Sequence, residues 1–252
     1  MRIHGGLIYL FLAAAFLLGV FLPDSIDYSP TSLVFTKDQD NQQPNEVTLS
    51  AKLKAEDSSE VLTANSQEVI VTDKGDHLLV LINKNIRLPE TYEPKDLVYL
   101  YGKVTEANKG LQLRKEALAA LLKLVDAARK SGLNIAVSSA YRSYWSQLAT
   151  YQEKVALLGS EVTKNYGARP GHSQHQLGTA VDFQITDPKI VDWLEANSSR
   201  YGFVLSYPKG KEQMTGYVYE PWHYRYIGVH NSVQMTNLGM ILEEYLQEFG
   251  VW

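Results

Sequence analysis

A histidine and an aspartate in the segment GHSQHQLGTAVDF, residues 171–183, have the types and spacing of metal ligands. Six residues separate His175 from Asp182, and Gly178 lies between them, where the chain can turn. The strand-like TAVDF would then bring Asp182 alongside His175, and both side chains offer good zinc ligands. Because an unpaired buried charge is costly, a carboxylate in such an apolar strand needs a partner. On this segment alone, an ordinary strand aspartate and a surface histidine are the simpler interpretation.

A second polar pair lies in the aromatic segment YVYEPWHYRY, residues 217–226. Glu220 stands three residues before His223, and on a regular strand the two would face opposite ways. Pro221 cannot donate to a strand ladder, so we expect a bulge or bend that turns both side chains inward. His223 would then be a third metal ligand, and Glu220 a nearby carboxylate that does not bind the metal. Two histidines, one aspartate, an open fourth position and a free glutamate form a catalytic zinc layout.

Arg142 is the third candidate, in the segment SSAYRSYWSQ, residues 138–147. It follows a predicted strand and precedes Ser143, which can cap a helix. A turn from strand to helix presents side chains at the rim of a sheet, where a fixed guanidinium suits a carboxylate or an oxyanion. For Arg142 alone, a surface salt bridge is the competing interpretation.

The elements that must position these residues predict an α+β fold, because helices and strands alternate without regular βαβ units. In the first helix, Leu118, Leu121, Leu122, Val125 and Ala128 share one face. Predicted helices cover residues 114–130, 144–158, 187–202 and about 237–248, and predicted strands cover 68–72, 77–83, 134–139, 181–183 and 217–226.

Composition excludes several classes of protein. The chain has 252 residues, a net charge of −4 and no cysteine. Without cysteine there is no disulfide framework, no thiol nucleophile and no thiolate metal site. The slightly acidic balance does not suggest a nucleic-acid partner.

The N-terminal part of the chain predicts export. Arg2 precedes an apolar run at 7–22, as in a signal peptide or membrane anchor over residues 1–23. We favour a retained anchor that places the body on the extracytoplasmic face of the membrane, with secretion after signal cleavage as the alternative. Residues 24–66 are polar and weakly periodic, which predicts a flexible linker, and 67–252 form the catalytic domain.

Three segments together resemble the VanY/LdcB-type zinc D,D- and L,D-carboxypeptidases of bacterial cell walls. They are YRSYWSQ, RPGHSQHQLGTAVDF and YEPWHYRY, and the resemblance spans about residues 76–246. The family pattern Ser-x-His-x6-Asp followed by Glu-x-x-His falls on Ser173, His175, Asp182, Glu220 and His223. Gln174 stands where relatives often have glutamate. The family fold is a Hedgehog/DD-peptidase-like α+β fold, with a small antiparallel sheet and flanking helices.

The resemblance implies a zinc-dependent D-alanyl-D-alanine carboxypeptidase that acts on peptidoglycan stem peptides. His175, Asp182 and His223 would bind the zinc, and Glu220 would be the general base. Arg142 would stabilise the oxyanion. The implied pocket for the substrate carboxylate is formed by Arg142, Gln147, Ser173 and Tyr141. The expected partners are the stem peptide and, through the N-terminal segment, the membrane; the enzyme is expected to be a monomer without a nucleic-acid partner.

Other functions stay open at this point. An L,D-carboxypeptidase acting on tetrapeptide stems would have the same zinc ligands, and so would a non-catalytic zinc-containing module that binds the cell wall. Ser206 and Lys209 match the S-x-x-K pattern of serine penicillin-binding enzymes. That pattern requires a helix after the serine, which Pro208 and Gly210 oppose.

Overall fold

A computed structural model of the chain describes residues 69–250. The predicted signal or anchor at 1–23 and the predicted linker at 24–66 lie outside the described residues. Within 69–250, no helix has both the length and the apolar character needed to cross a membrane.

Short strands and helices alternate along this part of the chain. The strands are β1 (Ile70–Val71), β2 (Ile86–Arg87), β3 (Leu97–Tyr99), β4 (Thr105–Glu106), β5 (Gln112–Arg114), β6 (Ala136–Ser139), β7 (Ala180–Gln184), β8 (Phe203–Leu205) and β9 (His223–Tyr226). The helices are α1 (Lys115–Lys130), α2 (Tyr144–Leu158), α3 (Ser160–Tyr166), α4 (Pro188–Asn197), α5 (Glu212–Thr215), α6 (Val229–Asn237) and α7 (Leu242–Phe249). Two short 3₁₀ helices span Gln174–Leu177 and Ser198–Tyr201.

The central sheet has the strand order β4-β6-β7-β9-β8. Its neighbours are antiparallel except for β4 and β6, which are parallel. A parallel pair needs a crossover connection, and the chain supplies one through β5 and α1. The α+β prediction is therefore confirmed. The prediction of an antiparallel sheet is wrong at one edge, where β4 and β6 are parallel, so the sheet is mixed.

Helix α1 belongs to the main hydrophobic core together with one face of the sheet. It buries Ala117, Leu118, Leu121, Leu124 and Ala128. The prediction for this face was wrong at one position, because Leu122 is 37% exposed and Leu124 is buried instead.

The two central strands divide their side chains between this core and the opposite face. On β7, Val181 and Phe183 join the core, and on β9 Tyr224 and Tyr226 do the same. Side chains alternate along a strand, so Asp182 and His223 face the other way. Trp222 precedes β9 and is exposed.

The structure corrects two element predictions. The apolar run HLLVLIN, residues 77–83, is coil rather than strand, and its residues 80–82 are buried. The guanidinium of Arg225 donates to the carbonyl oxygens of Leu78 and Val80 at 2.8 and 2.6 Å, so these carbonyls are satisfied without a strand ladder. The last predicted helix, at about 237–248, begins later than expected, as α7 at Leu242, because Gly239 lies in the left-handed region at φ 66°; α6 precedes it and was not predicted.

Candidate metal centre

Strand pairing places Asp182 opposite His223. The two residues are direct partners in the antiparallel pair β7–β9. Opposed residues in such a pair have Cβ atoms about 4.5–5.5 Å apart, close enough for side chains to contact. The distance from His223 Nδ1 to Asp182 Oδ1 is 2.8 Å.

His175 reaches the same carboxylate from the 3₁₀ helix that precedes β7. The hydroxyl of Ser173 caps this helix by accepting from the His175 backbone N–H at 3.3 Å. The helix ends at Gly178, whose φ of 65° lies in the left-handed region, as expected from the predicted turn. The chain then enters β7, and His175 Nε2 lies 3.2 Å from Asp182 Oδ2.

The remaining nitrogen of each imidazole faces an oxygen acceptor. His175 Nδ1 lies 2.6 Å from the carbonyl oxygen of Ala140, and His223 Nε2 lies 3.2 Å from Gln174 Oε1. We assign a proton to each of these outer nitrogens, which would leave the lone pairs of His175 Nε2 and His223 Nδ1 available to a metal ion held together with Asp182. One ligand atom from each of the three residues lies within 4.8 Å of the others. Two imidazoles and one carboxylate are the donor set of a catalytic zinc site, so the residues fit this metal.

The electrostatic state of the cluster also fits a cation. Burial alone would raise the pKa of the Asp182 carboxyl, but the two histidines hold it well below its usual range. Burial lowers the pKa of His175 against the opposing effect of Asp182. At neutral pH the cluster therefore offers an ionised carboxylate and a neutral imidazole, the forms that bind a metal.

Glu220 lies just outside the strand pairing. Its backbone N–H donates to the carbonyl oxygen of Tyr207, and its own carbonyl accepts from the backbone N–H of His223, both at 3.1 Å. The chain thus turns before β9 begins, as the sequence predicted at Pro221, and Glu220 is free of the alternation that governs the strand. Burial raises the pKa of Glu220 to about 7, with His223 opposing this effect and Asp182 adding to it. A carboxyl group with a pKa near neutrality can both accept and return a proton.

Arg142 is fixed beside the cluster by three contacts. Its guanidinium donates to Gln147 Oε1 and to Ser139 Oγ, each at 2.9 Å, and its backbone N–H donates to the carbonyl of His175 at 3.2 Å. Ser139 pairs with Asp182 across β6 and β7. Burial lowers the pKa of Arg142, with Asp182 and Glu220 opposing this effect, so the cation lies close to both carboxylates.

Each of the other predicted substrate-binding residues has a contact within the protein. Gln147 is buried, and both ends of its amide have protein partners, because Nε2 donates to the carbonyl of Ala168 at 2.7 Å. Ser173 serves as the helix cap. Tyr141 has its hydroxyl near Glu93, and burial raises the pKa of this tyrosine to about 12. Their contacts with a substrate stay predictions.

Three supporting contacts were not found from the sequence. Gln174 Oε1 accepts from the hydroxyl of Ser206 at 2.7 Å as well as facing His223. Tyr207 stacks on the His223 ring with centroids 5.0 Å apart, and the Ala140 carbonyl holds His175. The contact with Gln174 accounts for Ser206, the serine of the S-x-x-K match. Neither Ser206 nor Tyr207 lies near the motif residues in sequence, so no local pattern indicates them.

Known proteins are similar to this chain over most of its length. A family model described as VanY, D-alanyl-D-alanine carboxypeptidase, matches residues 110–229. YodJ of Bacillus subtilis strain 168 is 34% identical over 225 residues, which cover 84% of this chain and 82% of YodJ. A D-alanyl-D-alanine carboxypeptidase of Enterococcus faecalis is 32% identical over 188 residues, which cover 69% of this chain and 67% of that protein.

Solved structures of carboxypeptidases are also similar to this chain. The LdcB LD-carboxypeptidase has a TM-score of 0.66 and 35% identity, covering 71% of this chain and 90% of LdcB. A mutant of the D,D-pentapeptidase VanY in complex with Zn(II) has a TM-score of 0.60 and 34% identity, and the match covers 67% of this chain and 98% of the VanY chain. VanYB in complex with D-alanine-D-alanine has the same TM-score of 0.60 and the same identity of 34%, and the match covers 67% of this chain and 97% of the VanYB chain.

Proposed function

The chain belongs to the VanY family of D-alanyl-D-alanine carboxypeptidases, and we propose that it removes the terminal D-alanine from peptidoglycan stem peptides. The observation that carries the proposal is the cluster of His175, Asp182 and His223 beside the carboxylate of Glu220. The protein is a zinc carboxypeptidase, and a similar VanY structure contains Zn(II).

His175 Nε2, His223 Nδ1 and the Asp182 carboxylate would hold the zinc ion. When bound, zinc supplies Lewis-acid chemistry, polarising a carbonyl group and making water more acidic. The two imidazoles keep their orientation because Ala140 and Gln174 accept from their outer nitrogens.

Glu220 accepts the proton of the attacking water and then donates it to the nitrogen of the leaving D-alanine. This role requires a group that changes protonation near the working pH, and burial raises the pKa of Glu220 to about 7. The neighbouring charge of Asp182 helps to keep the proton on Glu220, while His223 favours its release.

Arg142 supplies the positive charge that a carboxypeptidase needs to recognise a free terminus and to stabilise the oxyanion. A guanidinium has five N–H donors, and within residues 69–250 two of them have side-chain partners, Gln147 and Ser139. Because Gln147 is itself held by the Ala168 carbonyl, the guanidinium is already oriented before a substrate binds.

An L,D-carboxypeptidase is the second candidate, favoured by the similarity to LdcB. The test is digestion of defined pentapeptide and tetrapeptide stems by the zinc-loaded enzyme, with products identified by mass spectrometry. We expect faster loss of the last residue from the pentapeptide. Faster trimming of the tetrapeptide would favour the second candidate. Trimming of neither stem would leave only a non-catalytic module.

We also propose that residues 1–23 hold the enzyme on the extracytoplasmic face of a bacterial membrane. The support is the apolar run at 7–22 behind Arg2. Fractionation of cells should find the protein in the membrane. A mature form in the culture medium that begins after the apolar run would contradict the anchor.

A further inference from the structure

Two lysines near Glu220 have no carboxylate partner. Within residues 69–250, neither Lys84 nor Lys154 forms a salt bridge, although both are partly buried. Lys154 Nζ donates to the carbonyl of Tyr166 at 3.0 Å. Lys84 Nζ donates to the carbonyl of Lys164 and lies 3.6 Å from the centre of the Tyr217 ring. An ammonium has three donors, so each lysine keeps donors for another partner.

The two lysines are connected by contacts to residues of the candidate site. Lys154 comes two turns after Gln147 on the same face of α2, and Gln147 binds Arg142. Lys84 packs on Tyr217, which precedes Glu220 by three residues. The segment 164–168 connects these side chains, because Lys84, Lys154 and Gln147 each donate to one of its carbonyls.

The charges around Glu220 support this placement. Burial lowers the pKa of Lys154, and Glu220 opposes the effect. Burial and the charge of Arg169 lower the pKa of Lys84 to about 8, again with Glu220 opposing. Both ammonium groups thus lie within the electrostatic reach of the general base. Partly buried cations without a counter-ion are costly, and an anion brought in by a ligand would remove that cost.

Resting on the proposed function, we infer that Lys84 and Lys154 bind a second carboxylate of the substrate, upstream of the scissile bond. Arg142 takes the terminal carboxylate, and Lys154 follows Gln147 by seven residues on α2. Seven helical residues rise about 10 Å, which corresponds to about three residues of an extended peptide. The substrate class is therefore a peptide with two separated carboxylates rather than any peptide that ends in D-alanine.

Two positions of a stem peptide can supply this second carboxylate. The D-glutamate at position two is linked through its side chain, which leaves its α-carboxylate free unless it is amidated. A diaminopimelate at position three carries a side-chain carboxylate that lysine lacks. Either carboxylate would bind the two ammonium groups through the same kind of contact. Peptides that carry only one of the two carboxylates therefore show which one is bound.

The experiment compares kcat/KM of the zinc-loaded full-length enzyme on four pentapeptide stems. Position two is D-glutamate or its amide, and position three is diaminopimelate or lysine. We expect the wild type to prefer one carboxylated peptide over its neutral partner by about tenfold or more, the usual effect of a hydrogen bond to a charged group. Lys154→Met should abolish this preference by slowing only the carboxylated peptide. Lys154→Arg should retain the preference, and so should Lys130→Met at the exposed end of α1.

The outcomes separate recognition from a structural role. If the lysines only bind backbone carbonyls, Lys154→Met will slow charged and neutral peptides equally, and the inference is overturned. A wild type that does not distinguish the peptides also overturns it. If the wild type hydrolyses no stem at all, the proposed function fails, and calorimetric binding of the same peptides decides the second carboxylate separately.

Discussion

The substitution Glu220→Gln should remove turnover and at the same time stabilise the metal-free protein at alkaline pH. Glutamine has nearly the same shape as glutamate but cannot ionise or accept the water proton. Burial raises the pKa of Glu220 from 4.5 to about 7, which means that the folded protein disfavours the ionised form. Once the pH is high enough to ionise Glu220, the wild type therefore has a destabilising charge that the variant lacks.

The size and sign of the effect follow from the two pKa values. A carboxyl group whose pKa is raised on folding contributes stability that is fully present below about 4.5 and is lost as the pH rises through about 7. The full difference corresponds to about 3 kcal/mol. Because Glu220 keeps some contact with solvent, we expect a gain of about 2–3 kcal/mol for the variant at pH 8 and less than about 1 kcal/mol at pH 5.

The assay is urea unfolding of metal-free wild type and variant at both pH values. Glu248→Gln is the matched control, because Glu248 is exposed on α7 and should show no gain at either pH. Adding zinc should reduce the gain, since a nearby cation stabilises the ionised form of Glu220. A variant that is no more stable than the wild type at pH 8 would show that the carboxylate is not desolvated.

Turnover tests the catalytic role of the same side chain. Loss of one general base typically costs about 10²–10⁴-fold in rate. We expect Glu220→Gln to lose activity in this range while it keeps one equivalent of zinc, because Glu220 is not among the ligands. Rates near those of the wild type would refute its role as the base.

Three further predictions concern the metal and the tether. The wild type should contain one equivalent of zinc, and His175→Ala should lose most of it. Normal zinc content in the variant would exclude His175 as a ligand. Gln174→Ala should weaken zinc binding by about 10–100-fold in a chelator competition, and Gln174→Glu should restore it, because an acceptor again faces His223 Nε2. Equal affinity in all three proteins would contradict this. Deleting half of residues 24–66 should leave the rate on a soluble peptide unchanged but reduce trimming of intact cell wall. A changed rate on the soluble peptide would contradict the prediction that this segment serves only as a linker.

The sequence predicts the metal cluster well because its geometry is local or follows from strand pairing. Gly178 ends the 3₁₀ helix where the turn was expected. Alternation on β7 then fixes the face of Asp182 without further information. Ser143 caps α2 as predicted, accepting from the Ser146 backbone N–H at 3.2 Å.

The parts that escaped prediction depend on partners far apart in the chain. The run 77–83 has an apolar pattern that suits a buried strand or a buried coil equally. Arg225, almost 150 residues later, decides between them by binding the Leu78 and Val80 carbonyls. The support of His223 by Tyr207 is of the same kind, because an aromatic residue in a loop has no pattern that identifies its stacking partner.

The two carboxylates of the centre have opposite environments, and this difference separates their roles. Asp182 lies between two imidazoles, which hold its pKa low despite burial, so it stays ionised and suited to a metal. Within residues 69–250 Glu220 has no such pair of imidazoles around it, and burial raises its pKa to about 7, so it can exchange a proton. The cause is the backbone, because Asp182 is fixed opposite His223 by the β7–β9 register while Glu220 precedes the strand. Strand pairing therefore makes Asp182 a metal ligand, and the turn before β9 leaves Glu220 as the proposed general base.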